Sequence, residues 1–389
     1  MIARNILMFV LLVVLPDLYI YWHYFKRRKV AWWKRVLWWI PCLFFLGYII
    51  SLYDDKNFTP SDASFLYLFL FLFGVLVVSK AVFALCSGIG LLWCRWRHKR
   101  RNWGSLIGFL FALFVIYVVI YGSTIGFRQF EVKRVDFYSE ELPDSFDGYR
   151  IVLFSDVHVG SYNGGNQKIL ARAIDSINAQ HADAICFAGD LQNVAPQEIY
   201  EHRQLLSSLR AKDGVFSVMG NHDYADYIKV EPAEEVANVQ ETMRLQRQFG
   251  WNLLLNEHCA VHRGGDSIVF AGIENDGRNL DGKRSSLEKT LKGVNDSAFV
   301  VMLAHDPAEW RRKILPKSRA QLTLSGHTHG GQVSLFGFSP VSLAYSEFEG
   351  EYEDEGYARS IYVSKGLGGL IPFRFGCPGE IVVITLHKQ

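Results

Sequence analysis

The 389-residue sequence has few acidic residues in its first third. Residues 1–123 contain four acids against 14 lysines and arginines, whereas residues 124–389 contain 35 acids against 27 bases. The six cysteines form no CxxC pair, which argues against a zinc ribbon or a redox motif. The overall charge of +2 therefore averages a basic part and an acidic part. The acidic part disfavours nucleic acid as a partner, because it would repel phosphate backbones.

The basic part lacks the polar faces that helices in water need. Its apolar runs extend over about residues 6–25, 36–53, 63–93 and 104–122, and eight of the ten tryptophans precede residue 104. About 20 apolar residues are enough to cross the hydrocarbon layer, and tryptophans at the ends of such runs suit the membrane interface. The sequence predicts an all-α bundle of about four transmembrane helices over residues 1–123.

Lysines and arginines concentrate in the first and third connections, at residues 26–35 and 95–101, and are scarce in the second. The positive-inside rule assigns basic connections to the cytoplasm. With four spans, the acidic part faces the periplasm or the exterior. If the long run 63–93 crosses twice, the acidic part is cytoplasmic instead.

Asp17 and Lys80 are the charged residues well inside these runs. We expect each to reach the headgroups separately, Lys80 by extending its long side chain towards the interface. An ion pair between them is the alternative.

The acidic part alternates short apolar runs with helix-like stretches. Continuous apolar strands indicate a sheet that is covered on both faces. We therefore expect residues 124–148 to connect the last span to one α/β domain over residues 149–389, a length ample for a full core.

Asp, His and Asn residues follow five of the predicted strands. These residues are Asp156, His158, Asp190, Asn221, His222, Asp223, His305, His327 and His329. The carboxyl ends of strands in α/β sheets form the ligand crevice, so these side chains should converge. Carboxylates and imidazoles without a thiolate favour a transition metal, and an aspartate can bridge two ions. Each motif alone is common in turns, but all five in order predict a metal centre.

The order D-x-H, G-D, G-N-H-D, H and G-H-T-H over about residues 150–386 resembles the calcineurin-like metallophosphoesterase superfamily. Residues 326–333 and 362–386, with Arg374, Pro378 and Glu380, resemble its bacterial membrane-associated branch of YkuE- and YaeI-type phosphodiesterases. The resemblance implies a four-layer α/β/β/α sandwich. From this resemblance together with the four apolar runs, we expect a multi-pass protein of the bacterial inner or cytoplasmic membrane. Asn193 stands where the family often has Asp, and Cys377 begins a Cys-Pro-Gly-Glu segment in place of Pro-Pro-Glu.

The same resemblance implies two divalent ions, for which Mn, Fe, Zn and Co all suit the donors. Its implied ligands are Asp156, His158 and His329 for one ion, Asn221, His305 and His327 for the other, and Asp190 as the bridge.

The expected chemistry is phosphoester hydrolysis. Two ions bind the phosphate oxygens and lower the pKa of a bridging water, whose hydroxide attacks phosphorus in line. His222 is expected to act as a general acid at the leaving oxygen or as a phosphate contact, and Asp223 to hold the tautomer of His222.

The sequence thus predicts a membrane-anchored phosphoesterase for phosphodiester or phosphomonoester bonds. Anchoring raises the local concentration of a surface-bound substrate, which favours a lipid-linked or envelope-linked phosphate.

Three alternatives remain. A sensor that binds ligand without turnover is disfavoured because every ligand position is filled. A transporter would have only Asp17 and Lys80 inside its spans. A nucleotide-lipid pyrophosphate hydrolase, like the relative that hydrolyses UDP-diacylglucosamine, requires the inverted topology.

Overall fold

In the computed structural model the chain divides into two compact units, Met1–Ile125 and Gly126–Gln389. The structure describes residues 6–26, 30–54, 63–225, 227, 230–276, 284–354, 356 and 359–389. Several connection residues that enter the positive-inside argument lie outside the described residues. These are Arg27, Arg28, Lys29, Asp55, Lys56 and Asp62.

The first unit is helical. Its helices are α1 (Ile6–Ile20), continued by a π-helical turn Tyr21–Phe25, α2 (Trp32–Asp54), α3 (Ala63–Leu72), continued by the π-helical segment Phe73–Val78 into α4 (Ser79–Trp96), and α5 (Trp103–Thr124). Among the described residues, four helices are long and apolar enough to span a membrane, which confirms the predicted bundle. The long third run forms one candidate span of 34 residues, Ala63–Trp96, rather than two.

Asp17 and Lys80 form an ion pair within this unit. Nζ of Lys80 lies 2.6 Å and 2.8 Å from the two carboxylate oxygens of Asp17. The expectation that they reach the headgroups separately is wrong, because Asp17 is fully buried and its side chain is too short to leave the packed helices. An isolated charge at that depth is costly, and the lysine supplies its partner.

The second unit contains two six-stranded sheets. Their strands are β1 (Phe130–Ser139), β2 (Tyr149–Phe154), β3 (Ala184–Phe187), β4 (Val215–Ser217), β5 (Asn252–Leu253), β6 (Glu257–Arg263), β7 (Asp266–Gly272), β8 (Phe299–Leu303), β9 (Leu322–Ser325), β10 (Gly350–Asp354), β11 (Arg359–Val363) and β12 (Gly379–Lys388). The first sheet has the order β1-β12-β2-β3-β4-β5 and the second β10-β11-β9-β8-β7-β6. Strands β2 to β5 are parallel to one another, as are β7, β8, β9 and β11.

Helices cover the outer faces of both sheets. They are α6 (Gln167–Asn178), α7 (Arg203–Leu206), α8 (Pro232–Gln248), α9 (Leu287–Thr290) and α10 (Leu315–Lys317). Alternate residues of β2 serve two cores: Ile151 and Leu153 pack between the sheets, whereas Val152 and Phe154 pack beneath α6 and α8. Trp310 belongs to a third core, on the outer face of the second sheet. This arrangement confirms the predicted α/β/β/α sandwich.

The segment expected to be a connector, residues 124–148, contains a strand. β1 lies at the edge of the first sheet and pairs in parallel with β12 along its whole length, from Phe130 opposite Gly379 to Ser139 opposite Lys388. Only one residue of β1, Phe137, is buried. An edge strand with charged residues on its open face lacks a continuous apolar run, so the sequence pattern did not reveal it.

Candidate metal centre

The loops that follow β2, β3, β4, β8 and β9 meet at one end of the two sheets. They bring all seven predicted ligands together. Asp156, His158, Asp190 and His329 each offer a ligand atom within 4.8 Å of one another, and so do Asp190, His305 and His327. Oδ1 of Asn221 lies 3.1 Å from Nε2 of His305 and completes the second group. Asp190 belongs to both groups.

The backbone of these loops is unusual. Five of the seven residues have positive φ values, namely Asp156 (50°), His158 (47°), Asp190 (61°), His327 (73°) and His329 (54°). Left-handed backbone is costly for residues other than glycine and persists where the surrounding structure enforces it. The loops therefore hold the side chains in place through tertiary contacts rather than through local preference.

Imidazole nitrogens and carboxylates face each other in the first group. Nε2 of His158 lies 3.3 Å from Nε2 of His329 and 3.6 Å from Oδ2 of Asp190. Nε2 of His329 lies 3.5 Å from Oδ1 of Asp156. Nδ1 of His158 is 3.1 Å from the carbonyl of Gln192, to which it donates, so the Nε2 lone pair points into the group.

The second group is built in the same way. Nδ1 of His305 lies 2.7 Å from the carbonyl of Ala188 and donates to it. Its Nε2 lies 3.2 Å from Oδ2 of Asp190 and 3.3 Å from Nδ1 of His327. On the other side of the His327 ring, Nε2 lies 2.9 Å from the hydroxyl of Tyr345.

The donor set fits divalent cations. Potential ligand atoms converge on each group: carboxylate oxygens, the amide oxygen of Asn221 and imidazole nitrogens. In His158 and His305, the opposite ring nitrogen donates to a backbone carbonyl. Acceptors at such distances repel one another unless a proton or a cation lies between them. Nδ1 of His329 is buried without a hydrogen-bond partner, whereas its Nε2 faces His158 and Asp156. The structure therefore contains an Asp and His cluster able to bind metal.

Electrostatics within the cluster follow from burial. Burial raises the pKa of Asp156 to about 7 and lowers that of His158 to about 3. It also lowers the pKa of His327 and His329, so these rings are neutral and free to act as ligands.

Asp190 and His305 shift in the opposite directions. Burial alone would raise the pKa of Asp190, but the facing His305 holds it well below its usual range. Conversely, burial would lower the pKa of His305, but Asp190 outweighs it and raises that pKa to about 10. In the metal-free protein, a proton on His305 therefore occupies the place of a cation.

His222 projects from the loop after β4, beside both groups. Its ring centroid lies 4.9 Å from that of His158, and its backbone N–H donates to Oδ1 of Asp190 over 2.9 Å. Nδ1 of His222 is 2.5 Å from the carbonyl of Asn193, which accepts its proton. The Nε2 atom is therefore left for a ligand.

Asp223 does not play the predicted part. The tautomer of His222 is fixed by Asn193, whereas the carboxylate of Asp223 is used up by backbone donors. Its oxygens accept N–H bonds of 2.9–3.3 Å from Asp190, Leu191, Gln192 and Gly220. The carboxylate faces the turn after β3 because three inward-pointing N–H groups there need an acceptor, and the N–H of Gly220 after β4 is the fourth donor. Asp223 positions the loop that carries Asp190.

Two tyrosines escaped the sequence analysis. Tyr345 meets His327 from an irregular segment that carries no motif. Tyr227 stacks on His222, with the ring centroids 4.2 Å apart and the planes 8° from parallel, and its hydroxyl is 2.6 Å from Nδ2 of Asn221. Only the proximity of Tyr227 to the Asn-His-Asp motif could have pointed to it.

A loop after β11 supports the Asp156 turn from behind. The N–H groups of Leu367 and Gly368 donate to the carbonyls of Ser155 and Asp156, both over 2.9 Å. A Cβ on Gly368 would lie 1.9 Å from the carbonyl oxygen of Val157, so only glycine fits there. The buried Arg374 donates to three carbonyls of this loop, those of Lys365, Gly366 and Gly368.

An α/β/β/α sandwich with a shared aspartate between two His-containing groups, at the carboxyl ends of its strands, has the features of a metal-dependent phosphoesterase. Family comparisons agree. Residues 149–331 match the model of the calcineurin-like phosphoesterase family, and residues 3–127 match that of the probable calcineurin-like phosphoesterase transmembrane domain.

Curated relatives extend over both units. A transmembrane protein with metallophosphoesterase domain from Danio rerio is 29% identical over 325 residues, which is 81% of this chain and 71% of the relative. An uncharacterized metallophosphoesterase from Helicobacter pylori is 30% identical over 74% of this chain and 73% of its own. The uncharacterized metallophosphoesterase YkuE of Bacillus subtilis is 31% identical over 64% of this chain and 83% of its own. The chain belongs to the calcineurin-like metallophosphoesterase family, in a form with a four-helix transmembrane domain.

Proposed function

We propose that the protein is a membrane-anchored phosphoesterase that hydrolyses phosphodiester or phosphomonoester bonds with two divalent ions. The observation that carries this proposal is the position of Asp190. It is the one residue common to the two groups of potential ligands found in the described part of the chain. A carboxylate with one group on either side suits two ions better than one.

In this proposal Asp156, His158 and His329 hold one ion. Asn221, His305 and His327 hold the other, and Asp190 contributes to both. Bound divalent ions supply Lewis-acid chemistry, since they lower the pKa of coordinated water and offset charge on phosphoryl oxygens. The protein's part is to keep the donors aimed before substrate arrives, which the enforced backbone of these loops achieves.

His222 is the residue to which we assign proton transfer. With Nδ1–H committed to the carbonyl of Asn193, its Nε2 can carry a second proton and deliver it to the leaving oxygen. The stacked ring of Tyr227 limits rotation of the imidazole. In its neutral form, the same ring can accept a hydrogen bond from a phosphate hydroxyl.

We further propose that the catalytic unit faces the periplasm or the exterior of a bacterial cell and acts on a lipid-linked or envelope-linked phosphate. The support is the concentration of basic residues in the first and third connections. A reporter fused after Gln389 that is active only in the cytoplasm would contradict this side. It would also revive a cytoplasmic nucleotide-lipid pyrophosphate as the substrate.

The test of activity uses the full chain in phosphatidylcholine nanodiscs, stripped of metal and reloaded with Mn, Fe, Zn or Co. Chromogenic phosphomonoesters and phosphodiesters are assayed together with a panel of lipid phosphates. We expect metal-dependent turnover that is lost in Asp190→Asn. Two bound ions without turnover on any substrate would favour a sensor that binds ligand without hydrolysis.

A further inference from the structure

Exposed apolar side chains are concentrated beside the metal centre. In the second unit, eight large hydrophobic side chains are exposed among the described residues, and five of them come from two loops at this end. We name these five the apolar rim: Leu335, Phe336, Phe338, Leu343 and Leu370. Phe336 and Leu343 are 107% and 83% exposed, respectively, which is unusual for side chains of their size in water.

Phe336 is held out rigidly. Leu335 and Phe338 exchange two backbone hydrogen bonds of 2.9 Å, which close a two-residue turn made of Phe336 and Gly337. The φ values of the turn are 53° and 82°, as in a type I′ hairpin. Asn-Gly is the favoured pair for this turn. The geometry of the turn therefore does not explain why a phenylalanine stands at its first position.

Both loops of the rim are tied to the metal centre. Ser339, beyond the hairpin, donates its hydroxyl to the carbonyl of Gly330, which directly follows the ligand His329. The amide of Asn193 donates over 3.0 Å to the carbonyl of Leu370, and the carbonyl of Asn193 holds His222. The rim therefore borders the place where a phosphate ester would react.

The first strand after the last candidate span, β1, begins at this same end of the first sheet. β12 runs antiparallel to β2, with Val382 opposite Leu153. Three residues further along, Gly379 is level with Asp156, and Phe130 at the start of β1 pairs with Gly379. At this level the segment 366–368 lies between β12 and the Asp156 turn, because Glu380 donates its N–H to Gly366 and Gly368 donates its N–H to Asp156. With strand-like spacing, the start of β1 therefore lies about 15 Å to the side of the Asp156 turn.

The connection to the membrane is short. Helix α5 ends at Thr124 and β1 begins at Phe130, so five residues join them. Even fully extended, that segment spans at most about 20 Å. The start of β1, at the end of the sheet that carries the metal centre, is thus within about 20 Å of extended chain from the last candidate span.

We propose that the apolar rim inserts into the bilayer that anchors the chain, so that the metal centre receives phosphate esters carried by lipids of that same membrane. Aromatic and aliphatic side chains of this kind partition into the interface between headgroups and acyl chains. Continuity with the spanning helices is what commits the rim to lipid rather than to a partner protein. The substrate class rests on the proposed function, whereas the insertion does not.

Insertion is tested without any assay of activity. A trifluoromethyl-phenylalanine is incorporated at position 336 of the full chain in phosphatidylcholine nanodiscs, and its fluorine NMR signal is relaxed by dissolved oxygen or by a water-soluble gadolinium chelate. The matched control is position 138, where Tyr138 is 58% exposed near the opposite end of β1. We expect oxygen to relax the signal at 336 more strongly, and the chelate to relax the signal at 138 more strongly. Equal access of the chelate to both positions would overturn the proposal. The proposal would also be overturned if a partner protein, and not lipid, covered the rim.

The substrate class is tested with two phosphodiesters that share one leaving group. Ethyl p-nitrophenyl phosphate dissolves in water, whereas hexadecyl p-nitrophenyl phosphate partitions into the lipid bilayer of the nanodisc. The variant Phe336→Asn/Leu343→Ser keeps a favourable turn while it removes two rim side chains. We expect kcat/KM to fall about tenfold or more on the hexadecyl ester and to stay unchanged on the ethyl ester.

Val236→Ser, which removes an exposed apolar side chain on α8, is the control and should leave kcat/KM on both esters unchanged. Equal losses on the two esters in the rim variant would overturn the assigned substrate class. If the wild-type protein hydrolyses neither ester and none of the phosphomonoesters and lipid phosphates of the activity panel, the proposed function fails, and the fluorine measurement still decides whether the rim inserts.

Discussion

Oδ2 of Asp190 and Nε2 of His305 lie 3.2 Å apart in the interior of the catalytic unit. Nδ1 of this imidazole donates to a backbone carbonyl, so its Nε2 must take either a proton or a metal ion to face the carboxylate favourably. The contact thus couples the protonation of the site to its metal content. Several measurable consequences follow from this coupling and from the neighbouring contacts.

Asp190→Asn should remove metal from both groups. The amide keeps the size of the side chain but loses the charge and one acceptor oxygen. Loss of an outer partner of a metal ligand alone lowers metal affinity about 10–100-fold, so we expect a loss of at least about 100-fold here. Metal content after dialysis and isothermal titration calorimetry measure it. Asp175→Asn on the exposed face of α6 is the matched control. Two ions retained in Asp190→Asn would contradict the bridging role.

Metal binding should release protons, with a pH dependence that follows the two raised pKa values. His305 (pKa about 10) must lose a proton to bind metal at any pH below 10, and Asp156 (pKa about 7) must lose a second one below pH 7. The logarithm of the overall binding constant for the two ions should therefore rise with pH by about one per unit between pH 7 and 10, and by nearly two well below pH 7, with one proton displaced at each group. Calorimetry in buffers of different ionisation enthalpy counts these protons. A pH-independent affinity in this range would contradict the displacement of the His305 proton.

His222→Ala should leave the metals bound and slow hydrolysis according to the leaving group. Loss of a general acid typically costs about 10²–10⁴-fold, and the cost is smallest for leaving groups that need no proton. The measurement is kcat for a series of aryl and alkyl phosphate esters. His262→Ala, at an exposed histidine on β6, serves as the control. A uniform loss across the series would mean that His222 contacts phosphate rather than the leaving oxygen.

Asp223→Asn should weaken metal binding without changing the dependence on leaving group. The amide cannot accept all four of the backbone N–H bonds that fix the Asp190 turn, so we expect metal affinity to fall about 10–100-fold. At saturating metal, the leaving-group series should match that of the wild type. If Asp223→Asn instead showed the same dependence on leaving group as His222→Ala, Asp223 would hold the tautomer of His222 after all.

In the membrane unit, Lys80→Met should destabilise the protein more than Asp17→Asn. Asp17 is fully buried and would keep an unpaired charge, whereas the side chain of Lys80 is 20% exposed and can turn towards the interface. Breaking a buried pair from one side costs about 3–5 kcal/mol. The double variant should recover much of the loss. Thermal unfolding of the full chain in nanodiscs gives the four free energies, and strictly additive losses would contradict the pairing.

Much of the site could be predicted from the sequence, because each potential ligand directly follows a buried strand. Ala184–Phe187 ends three residues before Asp190, and parallel strands deliver their carboxyl ends to one edge. The four spans were equally evident, since length and apolarity alone identify them.

Other contacts could not be predicted, because they depend on how distant loops meet. Tyr345 reaches His327 from an irregular segment, and the carbonyl of Asn193 displaced Asp223 as the partner of His222. The carboxylate of Asp223 accepts hydrogen bonds from backbone N–H groups in the turn after β3 and is therefore not available to His222. A sequence does not show where backbone N–H groups point, so this arrangement could not be predicted. Strand β1 was missed for a related reason, because its pairing with β12 leaves most of its side chains exposed.

The left-handed backbone at five of the seven potential ligands lowers the stability of the folded unit, although it places the ligand side chains at the metal centre. Glycine at such a position relieves a conformational penalty of about 1–2 kcal/mol, and at the metal centre it also removes a buried polar group from a crowded cluster. Variants such as His329→Gly should therefore unfold at temperatures close to that of the metal-free parent, although they have lost a ligand. Equally buried residues of the sheet core offer no such compensation. A fold built for stability alone would gain from glycine at these positions, so the ligand side chains serve the metal centre at a cost in conformational energy.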